Sequence, residues 1–118
     1  MKTIEEFIRE RQDLNKAVLD REHLGIKRFF NLDEAAYRDG PLPGRTKELC
    51  GLVASLVLRC DDCVDYHLIQ CVKAGWSDDE IVDALNVGLV VSGSIAIPHL
   101  RRAVAFLAEA RSRHEAQR

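Results

Sequence analysis

Two stretches of this chain, Thr3-Ile-Glu-Glu6 and Ser77-Asp-Asp-Glu80, have the form of a capping box. In such a box a hydroxyl side chain accepts from the backbone N–H three residues on, while the glutamate reaches back to the first residue's own N–H. Boxes of this kind open helices, and the residues that follow keep a helical rhythm. Ile4, Phe7, Ile8, Leu14 and Val18 roughly hold helical spacing. No stretch alternates with the period of two that marks a strand, and no repeat stands out. The chain is expected to be all-α.

Punctuation residues divide the helices. A second helical region covers 24–37, with a break expected near Asn31 and a stop at Asp39-Gly40-Pro41. The segment DGPLPG, 39–44, holds two of the three prolines and is the sharpest boundary in the sequence. Beyond it, 45–58 is strongly apolar and reads as a buried helix. Residues 61–74 form the next, with Gly75 as the residue that ends it. The Ser77 box launches 81–91, Ser92-Gly93-Ser94 loosens the pattern, and Pro98 suits the first turn of a last helix to about Arg113.

At 118 residues the chain is long enough for one domain with one core. Residues 1–40 are read as N-terminal helices and 44–113 as the compact helical bundle. GLVASLVL and NVGLVV are nearly all apolar, and so short a bundle has little interior in which to hide them. Association into a homo-oligomer is therefore expected.

Several functional classes are disfavoured. A net charge of −2 offers no basic excess for nucleic acid. The apolar runs are too short to cross a bilayer, so no membrane partner is expected. The start, MKTIEEFIRERQDLNK, lacks the apolar segment of a signal peptide, which points to a cytoplasmic protein. In that reducing compartment four cysteines do not suggest a structural disulfide framework.

The chemistry is concentrated in RCDDCVDYH, 59–67. On a helix, Cys60, Cys63 and His67 fall within about 60° of one another. Such a face suits a redox pair with its own base, part of a metal site, or buried sulfur. A cysteine reacts as thiolate, and two features favour that form: free backbone N–H groups at a helix start, and His67 one turn after Cys63. Asp61 and Asp62 oppose it as neighbouring negative charges. Zinc would need a fourth ligand, for which His99 is a candidate, but there is no second C-x-x-C and no H-x-x-x-H. Cys50 lies among apolar residues and reads as core. Cys71 is two turns beyond Cys63, out of reach of a shared disulfide. His23 and His114 read as solvated, and Trp76 as packed under a loop.

Glu48 completes the set. If the chain reverses between Leu56 and Arg59, the flanking helices run antiparallel and Glu48 lies opposite His67. A carboxylate there would orient the imidazole and accept its proton. The segment LVLRCDD has neither glycine nor proline, however, so one continuous helix is an open alternative. It would hold Glu48 and His67 about 28 Å apart.

Glu48, Cys60-x-x-Cys63 and His67 together read E-x11-C-x-x-C-x3-H. This order resembles the alkylhydroperoxidase D-like branch of the carboxymuconolactone decarboxylase family, and KAGWSDDEIVDAL, 73–85, is similar to that family's continuation. The likeness covers about 44–100, and the first 40 residues carry none of it. It implies an all-α fold in trimers or hexamers, and thiol-dependent reduction of a small-molecule peroxide or a disulfide. It further implies that Cys60 and Cys63 cycle between dithiol and disulfide, with Glu48 and His67 as a proton relay. An external dithiol would act as reductant, and no cofactor or metal would be required. Members of that branch often place a histidine just before the second cysteine. This chain has Asp62 there, which implies weaker thiol activation or a different reaction. The family's decarboxylase branch, a lyase acting on a lactone without a C-x-x-C, is the alternative, and a non-enzymatic oligomeric binding protein is a third class. Cys60 is the cysteine expected to face a reducing partner.

Overall fold

The computed structural model describes residues 2–118. Among them are six α-helices: α1 (Ile4–Leu19), α2 (Leu24–Ala36), α3 (Gly44–Val57), α4 (Asp61–Lys73), α5 (Asp78–Ser92) and α6 (Ile97–Ala116). A short 3-10 turn, Ser94–Ala96, joins the last two. The described residues are all-α, and none of their helices is long and apolar enough to cross a membrane. They form two compact units, one through Asp39 and one from Gly40 to Arg118.

In the first unit the Thr3 hydroxyl accepts from the Glu6 N–H and opens α1. His23 is not merely solvated: its Nδ1 accepts from the Ile26 N–H and caps α2. The expected break at Asn31 is absent, and α2 runs through it to Ala36. Asparagine in a helix interior costs only a fraction of a kcal/mol relative to alanine, too little to stop a helix by itself.

In the second unit, α4 packs against α3 on one side and α6 on the other, and α5 covers α3. Leu52 and Leu56 of α3, Val64, Leu68 and Val72 of α4, and Leu85 of α5 are almost fully buried. On α4 these positions recur every four residues, which keeps one stripe of the helix in the core. Gly88 lets α5 approach α3 closely. A Cβ there would sit 3.3 Å from both Leu56 Cδ2 and Val53 Cγ1.

The chain does reverse between α3 and α4. Arg59 takes a left-handed conformation, φ 59°. Its N–H donates to Leu56 C=O, and the Cys60 N–H donates to Ser55 C=O. That is the hydrogen-bond pattern of a Schellman motif, built without the usual glycine. The same pattern ends α4 with glycine in place. Gly75 has φ 93°, its N–H donates to Val72 C=O, and the Trp76 N–H donates to Cys71 C=O.

Two side-chain locks hold the turn after α4. Trp76 Nε1 donates to the Arg45 carbonyl (2.9 Å), and the Arg45 guanidinium lies 3.6 Å above the indole centroid, a cation–π contact. Arg111 of α6 donates to the Trp76 carbonyl and to Asp78. At Ser77 both arms of the capping box are formed, and α6 continues past Arg113 to Ala116.

Candidate active site

The Schellman turn places Cys60 at the N-cap of α4 rather than on its face. Its backbone is extended (φ −98°, ψ 95°), and its Sγ accepts from the Cys63 N–H at 3.3 Å. Only Cys63 and His67, four residues apart within α4, share a helical face. Cys60 and Cys63 are joined as a disulfide, with Cα atoms 5.2 Å apart. Exposure is the reverse of the sequence expectation: Cys63 is exposed and Cys60 half-buried. An N-cap side chain folds back over the first turn, whereas the residue at the third helical position projects outward.

Behind the disulfide, antiparallel α3 and α4 bring Glu48 to His67. Glu48 Oε2 and His67 Nδ1 are 2.9 Å apart, and the two side chains are 16% and 10% exposed. A carboxylate only accepts, so Nδ1 carries the proton and donates. No acidic residue lies in the first turn of α3, so the helix dipole does not account for Glu48. A buried acid–imidazole pair of this kind fixes the ring and can hold or pass a proton.

The other two cysteines divide differently from the expectation. Cys50 is exposed, not core. It stands two residues from both Glu48 and Leu52, about 200° around the helix from each, and therefore on the opposite side. Cys71 is fully buried. Burial, with the negative charge of Glu48 adding to it, pushes its thiol up to about 12, so it stays protonated and unreactive near neutral pH.

A second polar group sits at the start of α4. Asp61 Oδ1 accepts from His99 Nδ1 (2.7 Å) and Asp61 Oδ2 from Arg102 Nε (2.9 Å), both from α6. In the sequence His99 stands out only as a candidate fourth zinc ligand. Among the described residues no cluster of three or more His, Cys, Asp or Glu is arranged to hold a metal. The only available signal was the three-residue spacing of His99 and Arg102, which puts both on one face of a helix.

Next along α4, Asp65 is half-buried. Burial, then the charges of Asp61, Asp62 and Glu109, lift its carboxyl from 3.8 to about 7, with Arg102 opposing. A carboxyl whose folded pKa is raised favours folding while protonated. That contribution is complete below about pH 4 and is lost as pH climbs through about 7. Asp65→Asn should therefore raise the melting temperature at pH 8 and leave it nearly unchanged at pH 4. Thermal melts at the two pH values check this, and equal shifts at both would remove the electrostatic account.

The sequence matches the carboxymuconolactone decarboxylase family over residues 26–106. The match begins within α2, earlier than the motif-bearing residues indicated. Among solved structures, two crystal structures of one Thermotoga maritima protein superpose closely. The first has 60% identity and a TM-score of 0.89, covering 93% of this chain and 96% of that one. The second has 58% identity and a TM-score of 0.88, covering 94% of each. That protein is described as a carboxymuconolactone decarboxylase family protein "possibly involved in antioxidative response". A family member from Legionella pneumophila has the same fold at 22% identity, with a TM-score of 0.76 over 89% of this chain and 96% of that one. A Paracoccus denitrificans relative, "Uncharacterized protein 4 in cox locus", is 28% identical over 69% of this chain and 73% of its own length.

Proposed function

Because the chain belongs to the carboxymuconolactone decarboxylase family, we propose that it is a thiol-dependent peroxidase or disulfide reductase of the alkylhydroperoxidase D-like branch. The observation that carries this reading is the Cys60–Cys63 disulfide at the mouth of α4, with the buried Glu48–His67 pair one turn behind it. The description of the Thermotoga maritima relative agrees in kind.

In the reduced protein, Cys63 is the attacking thiol, since it is the exposed cysteine and His67 lies one turn away. Its thiolate attacks the terminal oxygen of a hydroperoxide. The O–O bond breaks, an alkoxide or hydroxide leaves and takes up a proton, and Cys63 becomes a sulfenic acid. The Cys60 thiol then displaces water to form the disulfide. An external dithiol attacks that disulfide, returns both cysteines to thiols and leaves oxidised. His67 takes the proton from the Cys63 thiol and supplies one to the leaving oxygen, while Glu48 stabilises the imidazolium between those events. No step needs a cofactor.

The test is peptide mass mapping of the reduced protein before and after one equivalent of peroxide. A Cys60–Cys63 disulfide should appear in proportion to peroxide consumed and disappear with dithiol. Oxidation of Cys50 or Cys71 while the pair stays free would end this reading, and turnover of a carboxylated lactone would replace it with the lyase.

The same reading includes assembly into a homo-oligomer, a trimer or hexamer. Val87, Val90 and Val91 of α5, with Ile95 and Leu58, are more than half exposed. Apolar surface on that scale is stabilised by burial against another copy. Light scattering should give a mass several times 13.3 kDa. A monodisperse monomer at micromolar concentration would refute it.

A further inference from the structure

Asp61 directly follows Cys60 and precedes Cys63 by two residues, so an uncompensated carboxylate there would oppose formation of a thiolate on either sulfur. It is not uncompensated. Each carboxylate oxygen has its own donor from α6, His99 Nδ1 at 2.7 Å and Arg102 Nε at 2.9 Å. The Arg102 Nη2 also lies 3.2 Å from His99 Nδ1, but Nδ1 donates to Asp61 and cannot accept there, so Asp61 is what brings the two donors together. His99 is the most enclosed of the three, its side chain 19% exposed.

We propose that His99 and Arg102 are positioning residues for the cysteine pair, which mask the charge of Asp61 and fix the first turn of α4 against α6. This rests on the redox reading above. The surroundings explain why a mask is needed here. Asp62 and Asp65 of α4 and Glu109 of α6 add further carboxylates along the same seam, and Glu48 lies behind His67. Against them Arg102 is the cation bonded to Asp61, the carboxylate that directly follows Cys60. Removing the mask disfavours the thiolate and with it the reduced form. The reactive pKa then rises, and the disulfide becomes harder to reduce, so its potential moves to more negative values.

The experiment measures thiol alkylation rate against pH on the reduced full-length chain, resolved by peptide for Cys60 and Cys63. It compares wild type, the Arg102→Gln/His99→Asn double variant, the same with Asp61→Asn added, Asp61→Asn alone, and Arg102→Lys. The groups are partly exposed, so the effect is screened. The double variant should raise the reactive pKa and slow alkylation at pH 7 by about three- to tenfold. Adding Asp61→Asn should restore the wild-type profile, because the charge to be masked is gone. Asp61→Asn alone should lower the pKa, and Arg102→Lys should stay near wild type. A double variant with an unchanged profile, or one that Asp61→Asn does not rescue, overturns the proposal. If the double variant does not fold, Asp61→Asn alone decides, and a raised pKa there is equally fatal. The redox reading fails separately: wild-type protein that forms no disulfide with peroxide sinks it, while the alkylation profiles still judge the masking.

Discussion

Replacing His67 with alanine, or Glu48 with glutamine, should slow peroxide reduction by about 10²–10⁴-fold, the range typical of general acid–base assistance. The two substitutions should not add. His67 Nδ1 and Glu48 Oε2 are 2.9 Å apart in a region nearly closed to water. An imidazolium formed there without its carboxylate is a buried, unpaired charge, and a carboxylate without its imidazole has no proton to stabilise. Either deletion thus removes most of what both together supply, and the double variant should be only slightly worse than each single one. The discriminating measurement is thiol alkylation against pH. Both single variants should move the reactive pKa upward, with little further movement in the double variant. If the pH profiles of all four proteins coincide, Glu48 and His67 are packing residues and the relay has to be abandoned.

A comparably large effect is expected away from the chemistry. Leu68 is fully buried on α4, one residue beyond His67 and one turn after Val64. Leu68→Ala should destabilise the protein by about 2–5 kcal/mol, the transfer term plus the cost of the cavity left behind. For a chain of this size that corresponds to a fall in melting temperature on the order of 10 °C. Val82→Ala on α5, 42% exposed, serves as the surface control and should change stability by less than about 0.5 kcal/mol. A loss at Leu68 no larger than at Val82 would mean that α4 is not the central helix its burial pattern describes.

What could be read from sequence follows from how local each determinant is. The Ser77–Glu80 box and the Gly75 helix end are encoded within a few residues, and both form as written. The α3–α4 reversal is encoded weakly. Its left-handed residue is Arg59, which any pattern keyed to glycine or proline passes over. Given that turn, the placement of Glu48 opposite His67 follows from antiparallel geometry alone. The helix start at Asp61 is legible, but setting Cys60 on the face shared by Cys63 and His67 applies helical periodicity to the N-cap, whose extended backbone does not follow it. The apolar neighbours of Cys50 suggest core, but its angular position on α3 sets it apart from the buried Leu52. The Asp61–His99–Arg102 group brings together residues 38 and 41 positions apart in the chain. No local pattern encodes such a meeting, which depends on how α4 and α6 lie side by side.

Trp76 is the only tryptophan in the chain, and its indole is clamped between the guanidinium and the backbone carbonyl of Arg45. The protein therefore carries its own optical label at a useful address. Indole emission responds to a nearby cation and to access by water, so it registers whether the first turn of α3 is seated on the turn after α4. Glu48 belongs to the next residues of that same helix. A shift of α3 that carried the carboxylate away from His67 would be visible in the fluorescence of the unmodified chain, in real time and without touching a cysteine.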